Sequence, residues 1–164
     1  MSVLDHPAVH RVADALSAAG AEGQVRALPE PAPTAVAAAA QLGCSVGAIA
    51  NSLVFVADGD PLLVLASGSH RVDTTAVAAL VGVRRVRRAD PDLVRSSTGF
   101  PIGGVAPVGH PQPLRTLVDE ALADYPTVWA AAGHRHTVFP TTYAELLRIT
   151  GGTSAAVADV AVGE

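Results

Sequence analysis

The chain has no lysine. All eleven of its basic residues are arginines, so any chemistry that needs a lysine amine, a Schiff base among them, is excluded. Alanine richness with arginine in place of lysine reads as a consequence of genomic base composition. There is one cysteine, Cys44, which rules out an internal disulfide and any multi-cysteine metal site and agrees with a reducing compartment. Cys44 reads as a small core residue. No window approaches the ~20 apolar residues of a membrane span, and the opening MSVLDHPAVHRV carries charges where a signal peptide needs an apolar run. A soluble, cytoplasmic protein with no membrane partner is expected. Fifteen acids against eleven bases leave a net charge of -4, which argues against coating nucleic acid by bulk attraction but leaves a local basic patch open.

What is present suffices for one domain spanning 1–164. The 164 residues are 49% hydrophobic and 16% charged, the balance of a folded chain with a full core. Asp5 as N-cap and Pro7 in the first turn, then Val9, Val12, Ala13 and Leu16, predict an amphipathic helix stopped by Gly20. A short QVRAL strand follows, then the PEPAP linker and an alanine-rich helix from Thr34 to Gly43. SLVFVA, DGDP and LLVLAS form a hairpin signal with two buried strands. Asp73 caps a helix ending at Gly82, VRRVRRA is a strand, and Asp90 with Pro91 opens a short helix ending at Gly99. LRTLVDEALADY fits either one helix or a strand and a turn; we read strand, then turn. TVWAAAG and HTVFPT are strands, Thr142 and Glu145 make a capping box for YAELLRITG, and AAVADVA is a last strand. The expected class is α/β (α+β): a mixed sheet of about seven strands with flanking helices.

Between Ser97 and His110 the sequence STGFPIGGVAPVGH has four glycines, two prolines and no acid. Glycine and proline break a helix, and glycines admit conformations that a side chain forbids, so this segment is built to present backbone groups. Taken alone, it is equally a pair of surface turns. Ser45, Ser52, Ser67, Ser69 and Ser97 lie in no nucleophile-elbow motif, so a Ser-His-Asp hydrolase is not indicated. His134 and His136 alternate as residues on one strand face do, and with His110 they suggest a metal site only by residue type. Asp73 is a helix cap before it is a catalytic base.

TAVAAAAQLG, IANSLVFVADGDPLLVLASGSHRVD, ADPDLVRSSTGFPIGGVAPVGHPQPL, LVDEALADYPTVWAAAGHRHTVF and ELLRITGG, in this order over roughly residues 30–152, resemble the YbaK/prolyl-tRNA-synthetase-associated editing domain family. The resemblance implies the YbaK-like fold and a freestanding deacylase acting in trans on mischarged aminoacyl-tRNA, chiefly tRNA for proline carrying a small wrong amino acid. It implies aminoacyl-tRNA as partner, prolyl-tRNA synthetase as a candidate partner, and neither metal nor cofactor. A binding module of the same fold, weak or inactive as a catalyst, is the alternative.

The family's ester-receiving loop of a glycine, three residues and a proline falls on Gly103, Gly104, Val105, Ala106 and Pro107. There, backbone N–H groups can stabilise the oxyanion that forms when water attacks, with help from the adjacent ribose hydroxyl. Where family members commonly carry a lysine that positions the tRNA terminus, this chain has Ala50, Asn51 and Ser52; Asn51 offers an amide without charge, or caps a turn. Gly133, His134 and Arg135 match a glycine with variable polar residues near the pocket, so Gly133 and His134 join Asn51 and Ser52 as substrate-binding candidates. Arg84, Arg85, Arg87 and Arg88, the dense basic cluster, are candidate tRNA-phosphate contacts or charges guarding a sheet edge.

Overall fold

The computed structural model describes residues 2–161; Met1 and residues 162–164 of the expected 1–164 domain lie outside the described residues. Five helices form where side-chain caps meet glycine stops. In α1 (Pro7–Ala18) the apolar face of Ala8, Val9, Val12 and Leu16 is buried. Its cap is His6, not Asp5: the His6 Nδ1 accepts from the Ala8 N–H at 3.1 Å, while Asp5 ends a one-turn 3-10 helix that starts at Val3. α2 (Ala35–Leu42), α3 (Thr74–Val81) and α4 (Pro91–Thr98) take the expected caps Thr34, Asp73 and Asp90. α5 (Tyr143–Thr150) is capped by Thr142, which accepts from the Glu145 N–H. The expected capping box is half formed, because the Glu145 carboxylate accepts instead from Thr141 Oγ1 and from the Glu22 N–H.

The strands are β1 (Arg26–Ala27), β2 (Ile49–Ala57), β3 (Asp60–Ser67), β4 (His70–Val72), β5 (Val86–Arg88), β6 (Arg115–Asp119), β7 (Val128–Ala131), β8 (Thr137–Thr141), β9 (Thr153–Ala155) and β10 (Ala158–Ala161). Eight make one mixed sheet in the order β1-β8-β7-β2-β3-β6-β9 with β5 also on β2, and β10 pairs β4 separately. AAVADVA is therefore two strands: β9 runs parallel to β6, and the chain then leaves the sheet. Val157, fully buried between them, accepts the Asp73 N–H on its carbonyl at 2.9 Å. LRTLVDEALADY is a strand, β6, followed by a 3-10 turn over Glu120–Asp124.

The β2–β3 hairpin is the frame. Its eight pairs run from Ala50 with Ser67 to Ala57 with Asp60, closed by Asp58 and Gly59, both at positive φ (47° and 94°), the two-residue turn whose twist matches the strands. LLVLA in β3 is continuous rather than alternating because both faces are covered. Leu63 and Leu65 pack with α1 and the glycine-rich loop, while Leu62, Val64 and Ala66 pack with α3. A third cluster sets α2 on Ile49 and Val138.

The free edge of β2 is shared. Near its start Ile49 and Ala50 pair in parallel with Trp129 and Ala130 of β7, and near its end Phe55, Val56 and Ala57 pair antiparallel with β5. The four residues between, 51–54, have no ladder partner there; the Ala89 N–H donates to the Val54 carbonyl just beyond β5. The sheet forks at this point.

Asp119 ties the other side. It is 1% exposed and accepts from the Ser67 N–H (2.9 Å), the Ala121 N–H (3.0 Å) and the His70 Nδ1–H (2.7 Å), joining β3, β4 and β6. Losing the carboxylate strands two backbone donors in the interior. Asp119→Ala should cost about 3 kcal/mol in urea unfolding, and His70→Ala about 1 kcal/mol. Equal losses would mean that the imidazole contact, not the carboxylate, holds the strands.

Candidate functional site

The fork opens into a hollow of about 330 Å³. One wall is β2, with Asn51 and Ser52; the opposite one is the loop, with Ile102, Gly103 and Val105. Trp129, Arg135 and Thr137 come from β7, β8 and their connection, and Arg88 from β5. Alanine, valine, leucine and isoleucine supply most of the rest, and among the described residues no acid or histidine lines it.

Ser52 is the polar feature of this wall. Its neighbours Ala50 and Val54 sit in the core on the loop side of β2, so by the two-residue repeat of a strand Ser52 faces that side. Its Oγ is buried and has no hydrogen-bond partner. A buried hydroxyl without a partner costs free energy unless something else binds it. The same repeat turns the Ser52 N–H and C=O to the edge on which the Val54 carbonyl accepts from Ala89, the unpaired part of the fork. Asn51 is exposed and points to the opposite face, at the rim.

The loop is pinned from beneath. Thr98 Oγ1 donates to the Val94 carbonyl (2.6 Å) and accepts the Phe100 N–H (3.1 Å). Arg11 donates to the Gly99 carbonyl at 2.7 Å and lies 5.2 Å from the Phe100 ring centroid. The His110 Nε2–H donates to the Ala106 carbonyl at 2.8 Å, which closes the far side. Phe100 and Ala106 are fully buried.

These contacts divide the five loop candidates. Gly103 and Val105 face the hollow. Ala106 and Pro107 are buried below it, and Pro107 has no N–H to offer. Gly104 is a buried spacer: its N–H donates to the Pro101 carbonyl at 3.0 Å, and a Cβ on it would lie 3.0 Å from the His134 nitrogen and 3.1 Å from the Gly133 carbonyl. Gly103 is there for conformation, with φ +92°; a Cβ would meet nothing nearer than the Arg135 guanidinium at 3.6 Å.

Gly133 and His134 sit behind the loop rather than in the hollow. Gly133 has φ +100° and leaves room for the Ala8 carbonyl, 2.9 Å from where its Cβ would be. His134 stacks on His136 (5.7 Å, 6°) and tilts against His6 (5.4 Å), and its Nδ1 accepts the His136 N–H. Arg135, the next residue, reaches the hollow instead. Residue type did not single it out; in a turn between strands the next side chain points away from its neighbour, and a guanidinium can span the distance. Among the described residues no group of three His, Cys, Asp or Glu is placed to hold a metal, and no helix is long and apolar enough to cross a membrane.

The four arginines also separate. All are exposed. The Arg84 and Arg85 N–H groups both donate to the Asp58 carboxylate at 3.0 Å, which fixes the turn before β5. Arg87 lies on the edge strand, and Arg88 alone lines the hollow, its guanidinium 5.6 Å from the Phe55 ring centroid. Cys44, half-buried beside the α2 cluster, has its thiol pKa raised by burial.

Two histidines around the loop are biased toward the neutral form. Burial lowers the His110 pKa, against the opposing pull of the Ala106 carbonyl. Burial also lowers that of His134, with further repulsion from His6, His136 and Arg135. The unfolded chain therefore takes up protons at these positions that the folded chain refuses. Stability is full above the ordinary histidine value of about 6.5 and is lost as pH falls below it toward the depressed folded values. Urea midpoints should fall as the pH drops below about 6.5, and less steeply in His110→Gln. An unchanged slope in the variant would remove His110 from the effect.

Residues 29–149 match the model of the aminoacyl-tRNA editing domain. The chain is 32% identical over 126 residues to the uncharacterized protein YwhH of Bacillus subtilis, covering 76% of this chain and 80% of that one. It is 33% identical over 96 residues to the proline–tRNA ligase of Nitratidesulfovibrio vulgaris, a stretch that covers 58% of this chain but 17% of the ligase. A solved structure described as that of a candidate trans-editing enzyme for prolyl tRNA synthetase superposes with a TM-score of 0.89 at 43% identity, covering 94% of this chain and 99% of that one. Another, of hypothetical protein APE2540, gives 0.85 at 29% identity over 91% and 99%.

Proposed function

Since the chain belongs to the aminoacyl-tRNA editing domain family, we propose that it is a trans-editing deacylase that hydrolyses the ester of mischarged tRNA, with tRNA for proline bearing a small wrong amino acid as substrate. The observation that carries this reading is the fork in β2, which sets the unpartnered Ser52 hydroxyl and strand-edge backbone groups opposite Gly103 and Val105 across one apolar hollow. An aminoacyl ester needs those features: an apolar seat for the side chain, acceptors for the α-ammonium and donors for a developing oxyanion.

In this reading the side chain rests against Ala50, Ala130 and Val105. The α-ammonium meets the Ser52 carbonyl rather than a counter-ion, because no carboxylate among the described residues lines the hollow. Water adds to the ester carbonyl, and the oxyanion is met by the Ser52 hydroxyl and the loop backbone at Gly103. The Gly104 N–H, already committed to Pro101, holds the loop's shape. The carbon–oxygen bond to the ribose then breaks, the ribose oxygen takes a proton and the amino acid leaves. Among the described residues no histidine or carboxylate in the hollow can act as base, so the proton passes through the neighbouring ribose hydroxyl. For an activated ester, fixed geometry and oxyanion contacts supply the acceleration. Arg84, Arg85 and Arg87 contact tRNA phosphates outside the hollow.

The test is a panel of mischarged tRNAs with purified protein. Ser52→Ala should lower kcat/KM by about 10- to 100-fold, the cost of one hydrogen bond to a developing charge. Gly104→Ala should do at least as much by pushing the loop off the Gly133–His134 backbone. The uncharged Asn51 also suits a binding module without catalysis; tRNA binding without release of any amino acid across the panel would decide for that alternative. If Asn51 faces substrate, Asn51→Lys should shift rate or amino-acid preference; wild-type behaviour on every tRNA would make the position structural.

Binding by the arginines has a separate signature. Replacing Arg84 and Arg87 by Gln should reduce the slope of log affinity against log salt by about 2, one unit per lost phosphate contact, with amino-acid preference unchanged. An unaltered slope would assign both to guarding the sheet edge.

A further inference from the structure

On the opposite face of β2 lies a second hollow, about 570 Å³, that shares Asn51, Leu53 and Arg88 with the first. The two hollows thus meet at the rim formed by Asn51, Leu53 and Arg88. Its surface is apolar at Leu53, Val72 and Val36, with Arg71, Arg88 and Thr74 at its margin. Val36 is 68% exposed, an unusual exposure for a valine on an alanine-rich helix. Among the described residues no acid lines the hollow. The exposed Arg88 side chain has its guanidinium over the buried Phe55 ring and makes no ion pair or side-chain hydrogen bond among the described residues.

An apolar floor beside arginines that face no acid among the described residues suits a single-stranded ribonucleotide. The base packs on the aliphatic surface, and the phosphate meets the arginine N–H groups. We infer that this second hollow seats the nucleotide immediately 5′ to the aminoacylated adenosine of the tRNA 3′ end. The inference rests on the proposed deacylase reading, which puts the aminoacyl group in the first hollow. The chain of the substrate then crosses the rim at Asn51 and Arg88, with its connecting phosphate at Arg88 and its next base against Leu53, Val72 and Val36. Arg71 closes the outer side.

Two esters separate this subsite from the aminoacyl pocket: full aminoacyl-tRNA, and aminoacyl-adenosine, which lacks the second nucleotide. Arg71→Ala and Val36→Glu alter exposed side chains outside the first hollow, and unfolding midpoints verify that both variants fold. Each should raise KM for aminoacyl-tRNA about tenfold with kcat within about twofold, and leave hydrolysis of aminoacyl-adenosine unchanged. Equal effects on both esters, or none on either, would overturn the assignment. Should wild type hydrolyse neither ester, the deacylase reading fails, and the subsite is still decided by titrating the trinucleotide CCA. Binding that weakens at least fivefold in both variants supports it; undetectable binding, or equal affinity in wild type and variants, refutes it.

Discussion

The sharing of one strand edge between two partners of opposite direction is the constraint on which the site depends. A parallel and an antiparallel neighbour use different hydrogen-bond spacings, and β2 accepts β7 at Ile49 and Ala50 and β5 from Phe55 onward. Neither ladder can extend into the other. On that edge the intervening backbone, residues 51–54, is left without a ladder in the middle of a sheet, a position where unpaired polar groups are costly. Hollows on both faces of β2 begin at this interruption, and the only buried side-chain oxygen or nitrogen without a partner among the described residues, Ser52 Oγ, lies at it.

Such an interruption persists only if what surrounds it is stiff. The other edge of β2 is fully laddered to β3 over eight pairs, and β3 is packed on both faces. β3 is fixed in turn to β4 and β6 by the buried Asp119. Across the hollow, the loop is anchored by Thr98 and Arg11 at its start and His110 at its end. The two walls are thus held by separate parts of the core, and the hollow keeps its width with no hydrogen bond between β2 and the loop among the described residues.

Much of this was legible in the sequence because it is local. Thr34, Asp73, Asp90 and Thr142 cap the helices they precede, since a short polar side chain and the next turn's N–H groups are always within reach; Asp-Gly closes a hairpin for equally local reasons. The failures are tertiary. Asp5 has the residue type of a cap, but the chain turns one residue later and His6 takes the role. AAVADVA reads as one strand, yet burial of Val157 against α3 pulls the chain out of the sheet midway. β4 has three residues with no alternation to detect. In the site, GGVAP and Asn51-Ser52 stand out by composition and resemblance, but which of them face a common space follows from the fork, which joins residues far apart in the chain. His134 and Arg135 are equally polar neighbours in the sequence, and only the turn between β7 and β8 shows that Arg135 lines the hollow while His134 packs with His6 and His136.

The placement of charge gives the site a direction. Arg88 and Arg135 stand on different elements, β5 and the β7–β8 connection, and both meet the hollow whose remaining lining is uncharged. The absence of lysine makes both cations planar and permanently charged, with faces that stack as well as N–H groups that donate. A polyanion approaching such a rim is held at the mouth while only a neutral or weakly polar group gains by going deeper, because the alanine, valine and isoleucine surface offers a charged side chain no compensation. Burial would penalise a cationic or anionic amino acid, and the anchored loop would resist a bulky one. On the reading proposed, selection among aminoacyl groups therefore needs no dedicated recognition side chain: it follows from an apolar seat of fixed width behind a cationic entrance.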